Sequence, residues 1–122
     1  MLHSCTVAQE KFNADLIVFP ELALCGYPPE DLLFHQGIPQ QISHALQTLQ
    51  QHSRDIAIIV GYPEYKNNTT FNAAALFADG HHIITHCKQW LPNYGVFDEK
   101  RYFEAAKTST TVDFKGCRLG IV

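Results

Sequence analysis

The apolar run Leu16-Ile17-Val18-Phe19, followed at once by Pro20 and Glu21, most narrows what this chain can fold into. Unbroken apolar character with β-branched residues predicts a central strand covered on both faces. Pro20 cannot donate to a sheet ladder, and Gly26, Pro28 and Pro29 cannot sustain regular structure. The segment Pro20 to Glu30 therefore reads as an ordered loop leaving the strand's C-terminal end. In an α/β sheet, ligands bind at that end.

The remaining elements fit a layered α/β fold. Ala8 to Asn13 reads as the end of a helix, with Ala14 and Asp15 turning into the strand. Pro39 to His52 is a covering helix, with Ile42, Leu46 and Leu49 on one face and glutamines on the other. Ile56 to Gly61 is a second buried strand. Ala73 to Ala78 and His82 to His86 form a hairpin across Asp79-Gly80 that delivers Lys88. After a loop from Leu91 to Phe97, Thr111 to Phe114 and Arg118 to Val122 form another hairpin across Lys115-Gly116. No strand precedes the first helix and no turn residue closes the last strand. The sheet therefore reads as unfinished and the chain as truncated at both ends, with an exposed edge prone to association. No repeat or linker interrupts residues 1–122, which read as one unit without a second domain.

Composition removes several function classes. A hydrophobic share of 46% with 17% charged residues suits a globular unit with a core. The net charge is -3 and the basic residues are scattered, so neither nucleic acid nor a membrane surface is an expected partner. Glu21 interrupts the longest apolar stretch far below the roughly 20 residues of a membrane span. The N-terminus lacks the basic head and apolar centre of a secretory signal, which predicts a cytoplasmic protein. Cys5, Cys25, Cys87 and Cys117 form no C-x-x-C pair and read as reduced thiols, with no metal site expected. The sequons at Asn67 and Asn68 read as a polar turn, and the histidines, the His81-His82 pair included, as surface or strand residues.

Two residues invite a chemical reading. Glu21 follows a fully apolar strand and is held by a Pro- and Gly-rich loop, a setting that desolvates a carboxylate and suits general-base work. The competing reading is a partly exposed loop glutamate capping the next turn. Lys88 ends an apolar strand beside Trp90 and Leu91, where it could stabilise an oxyanion. Its plain alternative is a strand-end lysine reaching to solvent. The segment Leu91 to Phe103 concentrates aromatic rings, acids and bases, a pattern that by itself reads as packing.

Taken together, two stretches resemble a known family. Phe19-Pro20-Glu21-Leu22-Ala23-Leu24-Cys25-Gly26-Tyr27-Pro28-Pro29-Glu30-Asp31 and Lys88-Gln89-Trp90-Leu91-Pro92-Asn93-Tyr94-Gly95-Val96-Phe97-Asp98-Glu99 are similar to the nitrilase-type glutaminase domains of glutamine-dependent NAD synthetases. The Pro-Glu after an apolar strand and the lysine before Leu-Pro occur across the nitrilase superfamily; the Gly-Tyr-Pro-Pro-Glu-Asp and Leu-Pro-Asn-Tyr-Gly-Val-Phe-Asp-Glu stretches are narrower. The resemblance implies an α-β-β-α four-layer sandwich, here incomplete, as a partial carbon-nitrogen hydrolase (glutaminase) domain. It implies a Glu-Lys-Cys triad in which Glu21 is the general base and Lys88 stabilises the oxyanion. Tyr27, Tyr94 and Phe97 would shape the glutamine pocket, and Glu99 would be the second, positioning carboxylate. The nucleophilic cysteine is expected within a few residues beyond Val122, in an Ile-Cys-Glu-Asp type segment, so this chain alone should be inactive. The implied activity of the whole protein is glutamine-hydrolysing NAD(+) synthesis, with ATP and Mg acting in a separate synthetase domain and no cofactor in this one. A homo-oligomer is implied as well. Competing expectations are a piece of another nitrilase-superfamily amidase or carbamoylase, and a non-catalytic packing module that retains only the Glu-Lys pair.

Overall fold

The structure is a computed structural model that describes residues 1–122. Its elements in chain order are α1 (Leu2–Phe12), β1 (Leu16–Val18), α2 (Ile38–His52), β2 (Ala57–Lys66), β3 (Thr69–Ala78), β4 (His81–Cys87), β5 (Thr110–Phe114) and β6 (Cys117–Ile121), with short 3₁₀ turns at Glu30–Phe34 and Glu99–Arg101. One sheet has the order β1-β2-β3-β4, with β1 parallel to β2 and the other pairs antiparallel; β5 and β6 form a separate hairpin. No helix is long and apolar enough to cross a membrane.

Alternation along the strands divides the sheet into two faces. Ile58, Val60, Tyr62, Ala73, Ala75 and Phe77 face the helices, where Cys5 of α1 and Ile42 and Leu49 of α2 complete the core. Leu46 packs at the margin of the same cluster. Ala57, Leu76 and Ala78 face the opposite way and meet Val112 and Phe114 of β5. The layers thus run helices, sheet, hairpin.

The turns follow from residues that tolerate left-handed backbone. Asn13 closes α1 at φ 50°, and the turns Asn67-Asn68, Asp79-Gly80 and Lys115-Gly116 each place both residues at positive φ, as tight hairpins of right-twisted strands require. The sequons thus occupy the β2–β3 turn. The sequence reading ended the second strand at Gly61, whereas β2 continues through Pro63 to Lys66. Phe19 and Leu24 donate to the carbonyls of Ile59 and Gly61, so this side of β2 faces β1 and the following loop. Pro63, two residues on, turns its missing donor to that side and costs the β3 ladder nothing.

Within residues 1–122, β1 pairs only with β2. Its apolar residues serve different surroundings: Ile17 packs toward the helices, Leu16 toward β5, and Val18, 63% exposed, lines a cavity beside Glu21.

The loop after β1 crosses β2 in contact with its backbone. A Cβ at Gly61 would lie 2.5 Å from Leu22 N, 2.6 Å from Pro20 O and 2.8 Å from Glu21 Cα. Gly61→Ala must push the Pro20–Leu22 turn away, and the expected cost of such overpacking is about 1–3 kcal/mol. A lowered urea midpoint at unchanged slope would show it; an unaltered midpoint would mean that the turn has slack.

Candidate active site

The chain turns immediately after β1: the N–H groups of Ala23 and Cys25 return to the carbonyls of Pro20 and Leu22, and Gly26 N–H also meets Leu22 O. Leu22 adopts φ 52°, an uncomfortable conformation for leucine. Complete burial against Leu33 and Phe103 holds it there. Anchoring Leu22 inward leaves its neighbour Glu21 projecting over the C-terminal end of β1, toward β3 and the residue after β4.

There Glu21 Oε1 accepts hydrogen bonds from Asn72 Nδ2 at 2.5 Å and Lys88 Nζ at 2.6 Å. The same Lys88 Nζ donates to Glu99 Oε1 at 3.2 Å. Backbone contacts hold these donors in place. Lys88 N–H donates to Asn72 O at 2.8 Å, Lys88 O accepts from Ala106 N–H at 3.0 Å, and Glu99 O accepts from Phe103 N–H at 2.8 Å.

The three charged side chains differ in exposure: 43% for Glu21, 25% for Lys88 and 8% for Glu99. Burial works against the lysine's charge, but hydrogen bonds to Glu21 and Glu99, and then their charges, outweigh it, so Lys88 titrates above the ordinary lysine range. Of the two readings of Glu21, the part-exposed one holds: it is the most open of the three and lines a cavity. The carboxylate withdrawn from water is Glu99, whose Oε2 is buried with no hydrogen-bond partner.

Cavities lie on either side. One of about 510 Å³ is lined by Tyr27, Phe97 and Glu99 together with Leu22, Val96 and Arg101 among others. Burial raises the Tyr27 pKa, and the charges of Glu99 and Glu21 raise it further against Lys88, so the phenol lies in the field of the charged cluster. The other cavity, about 270 Å³, is lined by Glu21, Asn72, His86, Lys88, Ile121 and Val122 among others. Of the residues expected to shape a substrate pocket, Tyr27, Phe97 and Glu99 come together. Tyr94 does not join them: it is exposed and meets Phe97 edge-on, ring centroids 5.6 Å apart.

Asn72 and His86 were missed by sequence reasoning. Both are buried polar residues within strands. Asn72 immediately precedes the apolar run of β3 and could have been flagged as a polar side chain that burial obliges to find a partner.

None of the four cysteines lines either cavity. The Cys25 thiol donates to the carbonyls of Leu22 and Gly26, and burial pushes its pKa up, against thiolate formation. Cys87 packs on the helix side of the sheet, as alternation from Lys88 requires. Cys5 is buried and Cys117 exposed. Nowhere do three His, Cys, Asp or Glu side chains converge to hold a metal ion.

Against known proteins, the chain is 40% identical over 117 residues to a glutamine-dependent NAD(+) synthetase of Xanthomonas campestris, a match covering 94% of this chain and 21% of that protein. The solved glutamine-dependent NAD+ synthetase of Acinetobacter baumannii in complex with ADP superposes with a TM-score of 0.92 at 36% identity, over 98% of this chain and 23% of the other. An amidase from Nesterenkonia sp. shares the fold at 23% identity, with a TM-score of 0.78 over 96% of this chain and 45% of its own. The chain thus spans about a fifth of the length of the curated relatives it matches. The fold is the nitrilase-like α-β-β-α sandwich, to which residues 1–122 contribute the helix layer, one sheet and a packed hairpin. The family description carbon-nitrogen hydrolase matches residues 1–122 from end to end, and the chain belongs to the carbon-nitrogen hydrolase family.

Proposed function

We propose that this chain is part of the glutaminase domain of a glutamine-dependent NAD(+) synthetase. In this reading the domain hydrolyses the side-chain amide of glutamine, and the ammonia serves ATP-dependent amidation of nicotinic acid adenine dinucleotide in a synthetase domain of the same protein. The observation that carries it is one lysine clamped between two carboxylates, Glu21 at 2.6 Å and Glu99 at 3.2 Å, with Glu99 also lining the cleft of Tyr27 and Phe97.

The roles follow from the geometry. Both donors on Glu21 go to Oε1, leaving Oε2 of this part-exposed side chain to take a proton from an attacking thiol and later from water. Lys88, kept charged by its neighbours, stabilises the tetrahedral oxyanion. Glu99 holds the ammonium from the buried side. Tyr27 and Phe97 wall the cleft for the aliphatic part of glutamine, and Tyr94 stacks edge-on behind Phe97. The nucleophile is a cysteine following Val122, since Ile121 and Val122 line the same cavity as Glu21 and Lys88 and no cysteine within residues 1–122 does. In this reading Mg and ATP act in the synthetase domain. Cytoplasmic location and a homo-oligomeric whole protein complete the reading.

Glutaminase activity is expected in a version extended past Val122 and absent from residues 1–122 alone. Glu21→Gln should lower kcat of the extended protein by about 10²–10⁴ and Lys88→Ala by about 10²–10³, while Cys25→Ala leaves turnover unchanged. Glutamine hydrolysis by the 122-residue chain itself would refute the assignment of the nucleophile. A second expectation concerns pH. The folded-state pKa of Lys88 is raised, so its contribution to stability is complete below the unfolded value near 10.4 and fades as pH climbs through the folded one. Urea midpoints of wild type and Lys88→Met should therefore converge only at strongly alkaline pH. Convergence already near neutrality would mean that the ion cluster is not formed.

A further inference from the structure

His86 stands on the same face of β4 as Lys88, two residues before it, and is 3% exposed. Its Nδ1 lies 3.0 Å from Thr110 Oγ1, and its Nε2 is buried with no hydrogen-bond partner in a residue that lines the cavity of Glu21, Asn72 and Lys88. Thr110 is the first residue of β5 and pairs with Ile121 in β6. One side-chain bond therefore ties the strand that delivers Lys88 to the register pair at the end of β6. Apart from it, the hairpin's polar ties are peripheral: Lys115 with Asp15, exposed at the far turn, and Ser109 Oγ with Gln89 Oε1 at 3.3 Å, outside the strand.

We propose that His86 is a positioning residue, whose bond through Thr110 sets where the end of β6 stands relative to Lys88 and Glu21. Burial lowers the His86 pKa, so the bridging ring is the neutral imidazole. Under the glutaminase reading, on which the kinetic consequence rests, this bond fixes the approach of the cysteine after Val122 to its base. The ring does not touch the reacting atoms; it acts through Thr110 and the β5–β6 register.

The test has two readouts on the variants His86→Phe, Thr110→Val, the double variant and His86→Asn, whose amide reaches the place of Nδ1. In the 122-residue chain, hydrogen exchange of the β5–β6 amides should speed up about tenfold or more in either single variant while β2–β3 is unmoved. The double variant should be no faster than the singles, and His86→Asn should return toward wild type. In the extended protein, the same singles should lower kcat by about tenfold or more at unchanged KM, as misplacement of a reacting group does, again with rescue by His86→Asn. Unchanged hairpin exchange, additive effects in the double variant, or faster exchange without a loss of kcat would each overturn the proposal. An extended wild-type protein that does not hydrolyse glutamine would sink the glutaminase reading instead, and hairpin exchange would then decide the structural role of His86 by itself.

Discussion

Glu99 is a carboxylate withdrawn almost wholly from water, and it is tolerable only because Lys88 sits 3.2 Å away. Removing one partner of such a pair costs about 3–5 kcal/mol, because the other charge is left buried alone. The lysine in turn draws in Glu21, which Asn72 shares. Four segments remote in sequence are thereby tied at one point: the loop after β1, the start of β3's apolar run, the end of β4 and the 3₁₀ turn at Glu99. Leu22, Leu33 and Phe103 form a small hydrophobic cluster beneath this knot, bringing the loop and the turn into contact without charge. Electrostatics supplies the direction, and the apolar cluster supplies the rigidity.

Much of this was legible in the residues. Three turns declared themselves through Asn, Asp, Lys and Gly at left-handed positions, and the helix α2 through its spacing of Ile42, Leu46 and Leu49. Glu21 and Lys88 were readable because each breaks the chemistry of the apolar strand that carries it. What was not legible depended on three-dimensional closure. An apolar run does not say which strand sits beside it, so the parallel pairing of β1 with β2 was not legible. The depth of Glu21 and that of Glu99 were not legible for a similar reason, since each depends on the segments that meet around it. Asn72 went unremarked because its one signal, a polar residue opening an apolar run, says that it needs a partner without saying which.

The cysteines illustrate how little proximity in sequence means for chemistry. Cys25 shares a loop with Glu21 and Cys87 adjoins Lys88, yet the first spends its thiol on backbone carbonyls and the second lies across the sheet from its neighbour. Burial raises the pKa of both. Period-two geometry separates Cys87 from Lys88 more effectively than many residues of chain would.

The sheet's connectivity also orders events in time. β2, β3 and β4 form a meander whose neighbours are joined by two-residue turns, so Asn72 and Lys88 meet through local closure. β1 is joined to β2 across the whole of α2, and long loops close more slowly than short ones. Glu21 is then the late arrival, and the charged cluster assembles only when the parallel pair has docked. Pulse-labelled exchange comparing the Phe19 amide with those of β3 would read this sequence directly, and equal rates would contradict it. A chain in which β1 has not yet docked would still pair Lys88 with Glu99 but would lack Glu21, so the lysine would stand charged at the site before the group proposed as its base arrives.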